Sequence, residues 1–257
     1  MSKAVAKKGE TNGIVAFDPS LFEQDAGLGM GDLSQDDMAI PFLKVLSRQD
    51  PTLDDLDDAK AGDILNTVSN QVYAGKGGIR VIPCAYQRRY IEWAPRGSGN
   101  GAPLNIYTPE DQRPRTERGD DNKDYVVTGN GSYIEETHQH YVLILNEDGT
   151  TTTAVIAMKS TQMKKSRKWN STIAQRTLMG KNGPFTPPRF SHVYLLRTVS
   201  EENSKGSWHG WDITLEGVVE DPRQYTQAKA FSESIQKGDV EAKHTSEGDD
   251  TSNDAPF

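Results

Sequence analysis

The stretch "KSTQMKKSRKW" gathers Lys159, Lys164, Lys165, Arg167, Lys168 and Trp169 within about three helical turns. At i, i+3, i+4 spacing, Lys164, Arg167 and Lys168 share one helix face. Almost no acid intervenes, and movable positive charge of this density suits contacts to a phosphate backbone. The plain alternative is a solvated helix face. A second set lies on "RVIPCAYQRRYIEW". Strand alternation groups Tyr86, Arg88 and Tyr90 on one side, and Val81, Ala85, Ile91 and Trp93 on the other, with Arg89. Rings stack on unpaired bases and guanidinium groups hold phosphates, whatever the sequence. Tyr86, Arg88, Arg89, Tyr90 and Trp93 are therefore candidate contacts for a single strand. The alternative is that the tyrosines rim a core. Trp208 is ambiguous in the same way, because it shares a strand with an inward-looking Trp211.

Signals for catalysis are weaker. The chain has no P-loop, no G-x-G-x-x-G after a strand, no G-x-S-x-G and no H-E-x-x-H. Cys84 follows Pro83 inside an apolar run and reads as a small core residue rather than a nucleophile. As the one cysteine, it excludes an internal disulfide and a multi-cysteine zinc site. His138 and His140 alternate, as a metal pair on a strand would, but no third ligand is evident beside Glu135 and Glu136. They read as histidines on a half-wet face. Asp54, Asp55, Asp57 and Asp58 read as a solvated charge run. No cofactor, no metal and no catalytic residue is expected.

The elements that position these groups are mostly strands. "MAIPFLKVLSRQDP" is a short strand or helix docking on the core, and "LDDLDDAKAGD" an acidic linker. "GDILNTVSNQVYAG" turns at Ser69-Asn70 as a hairpin. "GIRVIPCAYQRRYIEW" follows as a long strand whose ladder Pro83 breaks, so an edge or a bulge is expected there. Residues 94–131 read as a long loop, rich in Gly, Pro, Arg and Asp. "SYIEETHQHYVLILNEDGTTTTAVIAM" is a hairpin about Glu147-Asp148-Gly149. The basic helix follows, with Ile173, Arg176 and Leu178 continuing it to Gly180, and "GPFTPP" is a rigid connector. "RFSHVYLLRTV" and "SWHGWDITLEGVV" form a second hairpin. Asp221 caps a last helix with Pro222 in its first turn, carrying Tyr225, Ala228, Phe231 and Ile235. The expected fold is mainly β with added helices (β+α). It is an OB-like antiparallel barrel, or a related antiparallel sheet, with an inserted basic helix and a C-terminal helix. The expected organisation is a flexible arm over 1–36, one nucleic-acid-binding domain over 37–237, and a disordered acidic tail over 238–257.

Charge is sharply divided beneath a net −8. Residues 10–58 carry twelve acids against Lys44 and Arg48, and residues 238–257 carry six acids against Lys243. Between Ile79 and Arg197, seventeen Lys and Arg face eleven acids. The local field, not the pI near 5.2, bears on partners, so nucleic acid is not excluded. No apolar run approaches the roughly 20 residues of a membrane helix, and "MSKAVAKKGE" has no apolar stretch behind its cations. No membrane association is expected, and the expected compartment is a reducing cytoplasm.

The C-terminal "DDTSNDAPF" resembles the tip of bacterial single-stranded DNA-binding proteins, an acidic run ending in Ile-Pro-Phe. Ala255 stands where Ile is usual. The body from "IPFLKVL" through "VIPCAYQRRYIEWAPRGSG" is similar to tailed-phage proteins associated with that role. The resemblance implies that Asp249, Asp250, Asp254, Pro256 and Phe257 bind replication and recombination proteins. It also implies that the tail competes with DNA for the basic groove. The resulting expectation is a non-catalytic, sequence-nonspecific single-stranded DNA-binding protein of a phage, acting in DNA replication, recombination and repair in the host cytoplasm, with a homo-oligomer allowed among its partners. A phage structural or assembly protein is the alternative; a metal-dependent nuclease using His138 and His140 is a weaker one.

Overall fold

Alternating and β-branched runs make strands of most of this chain, and two long hairpins set its shape. The computed structural model describes residues 20–31, 38–95, 97–98, 100–204 and 206–244. It divides into two units, Met1–Met38 and Ala39–Phe257. In the first, the described structure is a short helix, α1 (Ser20–Gln24).

The second unit opens with a small antiparallel sheet of β1 (Leu43–Val45), β2 (Ile64–Asn66) and β3 (Val72–Tyr73). Its β2–β3 turn places Asn70 at φ 55°, a conformation asparagine tolerates. A single-turn helix, α2 (Thr52–Asp55), interrupts the stretch expected to be linker. The main sheet has eight strands. Its long members are β4 (Ile79–Trp93), β8 (Tyr133–Leu145), β9 (Thr151–Lys159), β12 (His192–Asn203) and β13 (Gly206–Val218). Short strands β5 (Asn105–Tyr107), β6 (Thr116–Arg118) and β7 (Asp124–Val126) complete it. The order is β13-β12-β4-β8-β7-β6, with β5 on β4 and β9 on β8, all antiparallel. The fold is mainly β, a curled antiparallel half-barrel.

Core packs on both faces of this sheet. On one, Ile82, Cys84, Ala85, Tyr141, Leu143, Val155 and Ala157 meet helix α4 (Pro222–Lys237) through Ala228, Phe231 and Ile235. On the other, Val81, Val142, Ile144, Ala154, Ile156 and Met158 meet β1, β2 and helix α3 (Met163–Ala174). Alternation along β8 and β9 is regular. Along β4 it is not. A register shift between Pro83 and Ala85 inserts Cys84 as an extra residue, so Val81 and Ala85 face opposite sides. Strict alternation had put them together. Proline, with no N–H to give the ladder, sits at this bulge.

Four other expectations are corrected. Residues 94–131 are not a plain loop: β5, β6 and β7 extend the sheet from within them. The basic helix stops at Ala174 rather than Gly180, because its inward stripe of Ser166, Trp169 and Ile173 ends there. Leu178–Gly180 and Gly183–Phe185 instead pair as hairpin β10–β11, so "GPF" is strand rather than connector. The packed body also runs beyond 237. Gly238 caps α4 at φ 81°, and Val240, Ala242 and His244 are buried behind it. The Asp221 cap on α4 is present, accepting from Arg223 N at 2.8 Å.

Cys84 is 1 % exposed, and burial pushes its thiol up to about 12. The native thiol should therefore be inert to an aromatic disulfide reagent at pH 8 and react at once in denaturant. Fast labelling of the folded protein would contradict this packing.

Candidate nucleic-acid interface

Because of the bulge, Tyr86, Arg88 and Tyr90 project from the same sheet face as α3. Tyr86 pairs in register with His140, Arg88 with His138 and Tyr90 with Glu136. The Tyr86 ring lies 5.6 Å from the His138 ring and 5.1 Å from the His140 ring. Both histidines meet α3 through one hydroxyl. Ser166 Oγ is 2.8 Å from His138 Nδ1 and 2.7 Å from His140 Nε2.

The directions of these bonds follow from their ends. Arg189 only donates, so at 2.9 Å it gives a proton to His140 Nδ1. His140 then donates from Nε2 to Ser166, and Ser166 donates to His138 Nδ1. His138 Nε2 faces the Glu136 carboxylate at 2.9 Å. Glu136, His138 and Ser166 thus have the connectivity of a nucleophilic triad. Yet Ser166 is 0 % exposed and its hydroxyl is used on both sides by histidines. What the chain of bonds does is fasten α3 to the sheet. His138 and His140, expected on a half-wet face, are buried by that helix. Among the described residues no cluster of three or more His, Cys, Asp or Glu could hold a metal ion.

The helix turns its cations outward. Lys164, Arg167 and Lys168 are exposed, and Arg167 is near enough to act on the Tyr86 phenol. Burial, the larger cause, raises the Tyr86 pKa, while Arg88, Arg189 and Arg167 work against it. Arg88 lies 5.7 Å from the Tyr90 ring. Arg113, from the β5–β6 segment, lies 3.5 Å from that ring's centroid. Sequence reasoning missed Arg113, since nothing local to it signals that the segment folds back on β4. Its placement traces to Glu92, which accepts from Ser132 Oγ and Asn105 Nδ2 at 2.8 Å and from Tyr107 OH at 2.9 Å. Burial alone would raise this carboxyl, but the three bonds outweigh it and hold its pKa below the usual value. Arg88, Arg113, Lys164, Arg167 and Lys168 form no ion pair with a described residue.

The remaining candidates fall elsewhere. Trp169 is 2 % exposed and stacks on His140 at 4.6 Å, so it offers no open face to a base. It belongs to the inward stripe, which the spacing of Ser166, Trp169 and Ile173 carries in the sequence. Trp93 is buried at 6 %, on the side away from the tyrosines. Arg89 is on that same side, giving a 2.7 Å bond to Gln87. Lys159 is there too, paired with Glu135 at 3.0 Å. Lys165 is on α3 but bound to Glu201, which also accepts from Trp208 Nε1. A Cβ on Gly210 would displace the side-chain tips of Glu201, Lys165 and Gln162, which gather where α3 meets β13. Beside it a cleft of about 250 Å³ opens, floored by Trp169, Tyr194, Trp211, Ile213 and Leu215. Asp249, Asp250, Asp254, Pro256 and Phe257 lie outside the described residues. No helix among the described residues is long and apolar enough to cross a membrane.

Residues 10–241 match the model of the Pam3 phage gp34-like protein family, and the chain belongs to that family. No curated protein and no solved structure matches it.

His140 gives this site a pH signature. Burial first, then the charges of Arg189 and His138, hold its pKa well below the ordinary 6.5. Below about pH 6.5 the unfolded chain binds a proton that native His140 refuses, so stability is lost as pH falls through that range. Urea midpoints should drop between pH 7 and pH 5, and the drop should be smaller in His140→Gln. Parallel pH slopes for the two proteins would mean the ring is not shielded.

Proposed function

We propose that this phage-family protein is a non-catalytic, sequence-nonspecific single-stranded DNA-binding protein. It would act in phage replication and recombination in the host cytoplasm, on an OB-like body. The observation that carries the reading is the meeting of the two sets on one face. Half-exposed Tyr86 and Tyr90 lie among Arg88, Arg113 and Arg167, and Lys164 is exposed on the same helix as Arg167, none of the four neutralised by a described acid. Single strands are bound by such a combination, rings for bases and unpaired cations for phosphates. Lys168 instead lines the cleft toward β12 and β13. Family membership supports a phage setting and says nothing of the ligand.

The acidic tail supports the same reading through its resemblance. Asp249, Asp250 and Asp254 would mimic phosphates at an effective concentration on the order of mM. Pro256 and Phe257 would present the partner-binding knob. An exposed hairpin bearing Met179 (78 % exposed) and Phe185 (47 %) favours a second reading, a phage assembly protein. That reading requires no preference for single strands over duplex.

Quenching of intrinsic fluorescence by oligo(dT), duplex DNA and RNA tests the proposal. Affinity for oligo(dT) should exceed that for duplex and fall with salt, at about 0.7 counterions per phosphate contact. Tyr86→Ala and Tyr90→Ala should each cost about 1–3 kcal/mol of binding with little change in Tm. Arg113→Ala should weaken all sequences alike. Equal binding of single strand and duplex, or a flat salt plot, would sink the proposal.

Deleting residues 248–257 should tighten oligo(dT) binding at low salt, a gain that shrinks as screening shortens to about 10 Å at 0.1 M. Phe257→Ala should abolish capture of replication proteins and leave DNA affinity unchanged. Weaker DNA binding on deletion would remove the competing tail.

A further inference from the structure

Among the described residues four buried side-chain N or O atoms lack a hydrogen-bond partner. Three of them are N–H donors: Trp169 Nε1, Arg176 Nε and Arg189 Nε. All three belong to side chains around one residue. Trp169 meets the Tyr194 ring edge-on at 5.6 Å, and Arg176 and Arg189 are both close enough to act on its phenol. Unsatisfied buried donors are rare, and three about one side chain is a shortage of acceptor.

The charge balance points the same way. Arg189 gives Nη1 to Asn170 Oδ1 and Nη2 to His140 Nδ1, each at 2.9 Å. Both acceptors are uncharged atoms. Neither Arg189 nor Arg176 forms an ion pair with a described residue. Burial pulls the Arg189 guanidinium down to about 10 with no carboxylate opposing. Buried cations are normally paired, because an unpaired one gives up hydration for nothing. Arg189 is only partly covered, and its guanidinium stands 5.7 Å from the half-exposed Tyr86 ring and 5.9 Å from that of Trp169.

We propose that Arg189 and Arg176 form a subsite for one phosphate group, beside Tyr86. A guanidinium fork matches oxyanion geometry, and a tetrahedral phosphate supplies several acceptors where three donors lack one. The phosphate could belong to a strand stacked on Tyr86 or to a free nucleotide. Only the first source rests on the reading given above. Sequence offered no hint of either arginine, since they lie thirteen positions apart on either side of a hairpin.

The test uses the full chain. Tm is followed with inorganic phosphate, with thymidine 5′-monophosphate and with oligo(dT), each against chloride at equal ionic strength. Phosphate is kept to about 10 mM or less, where general salt exclusion is weak. Saturating phosphate should raise Tm by about 2–4 °C over chloride. Arg189→Lys, which keeps the charge and loses the fork, should weaken phosphate at least tenfold, as should Arg176→Gln. Lys181→Gln, on the exposed hairpin, should not. An oligo(dT) effect that Arg189→Lys weakens assigns the phosphate to a strand; an effect confined to the mononucleotide and inorganic phosphate assigns it to a free ligand. If phosphate acts and oligo(dT) does not bind, the subsite stands and the single-strand reading falls. If oligo(dT) binds while phosphate matches chloride in the parent protein, the subsite falls and the reading stands. Phosphate binding undiminished in both arginine variants also overturns the subsite.

Discussion

One extra residue in β4 decides which side of the sheet carries the aromatic–basic face. Side chains alternate along a strand, so inserting Cys84 reverses the facing of everything after it. Before the bulge, Ile79 and Val81 face α3. After it, Tyr86, Arg88 and Tyr90 do. Were Cys84 to take its turn in the ladder instead of bulging out of it, those three would face α4, and Gln87 and Arg89 would meet α3. The cations of α3 and the tyrosines of β4 share a surface only because proline and cysteine break the ladder there. Pro83 makes the break cheap by giving no N–H, and Cys84 is small enough to be buried on the α4 side.

The second dependence is on how α3 is held. A helix carrying Lys164, Lys165, Arg167 and Lys168 pays its own repulsion, and its mid-helix anchor is polar rather than greasy. Ser166 sits between two buried histidines, and Trp169 stacks on one of them. Hydrogen bonds fix rotation about the helix axis more sharply than apolar contact does. That rotation determines which cations face outward beside Tyr86. Gln162 adds a further tie, accepting from Trp211 N at 3.1 Å, so the helix start is fixed to β13 as well.

Much of the fold was legible in the sequence. Val-, Ile- and Thr-rich runs about Glu147-Asp148-Gly149 gave the β8–β9 hairpin, and Asp221-Pro222 gave the start of α4. Period-2 and capping signals are local, and local signals survive in a single sequence. What failed was non-local. Short strands β5, β6 and β7 carry no run long enough to show a period, and they exist because β4 and β8 offer edges to pair with. Trp169 looked like part of a binding set because cations surround it in the chain, although its spacing from Ser166 and Ile173 marks the buried stripe. Arg113 and Arg189 acquire meaning only when distant segments fold against Tyr90 and Tyr86.

The two faces also separate the cations that sequence pooled. Arg89 pairs across the ladder with Thr137, and Thr137 with Lys159, so this row lies on the α4 side. His244 is buried on that side as well, bonded to Gln139 and 5.3 Å from the Phe42 ring. The described chain therefore ends, at His244, on the face opposite Tyr86. Thirteen residues follow His244, and an extended chain spans at most about 3.5 Å per residue. That is a reach of roughly 45 Å. Arg89 and Lys159 stand on the same side of the sheet as His244, and Lys159 is already neutralised by Glu135. The cations left to a strand on the other side are the unpaired ones of β4, α3 and the β5–β6 segment.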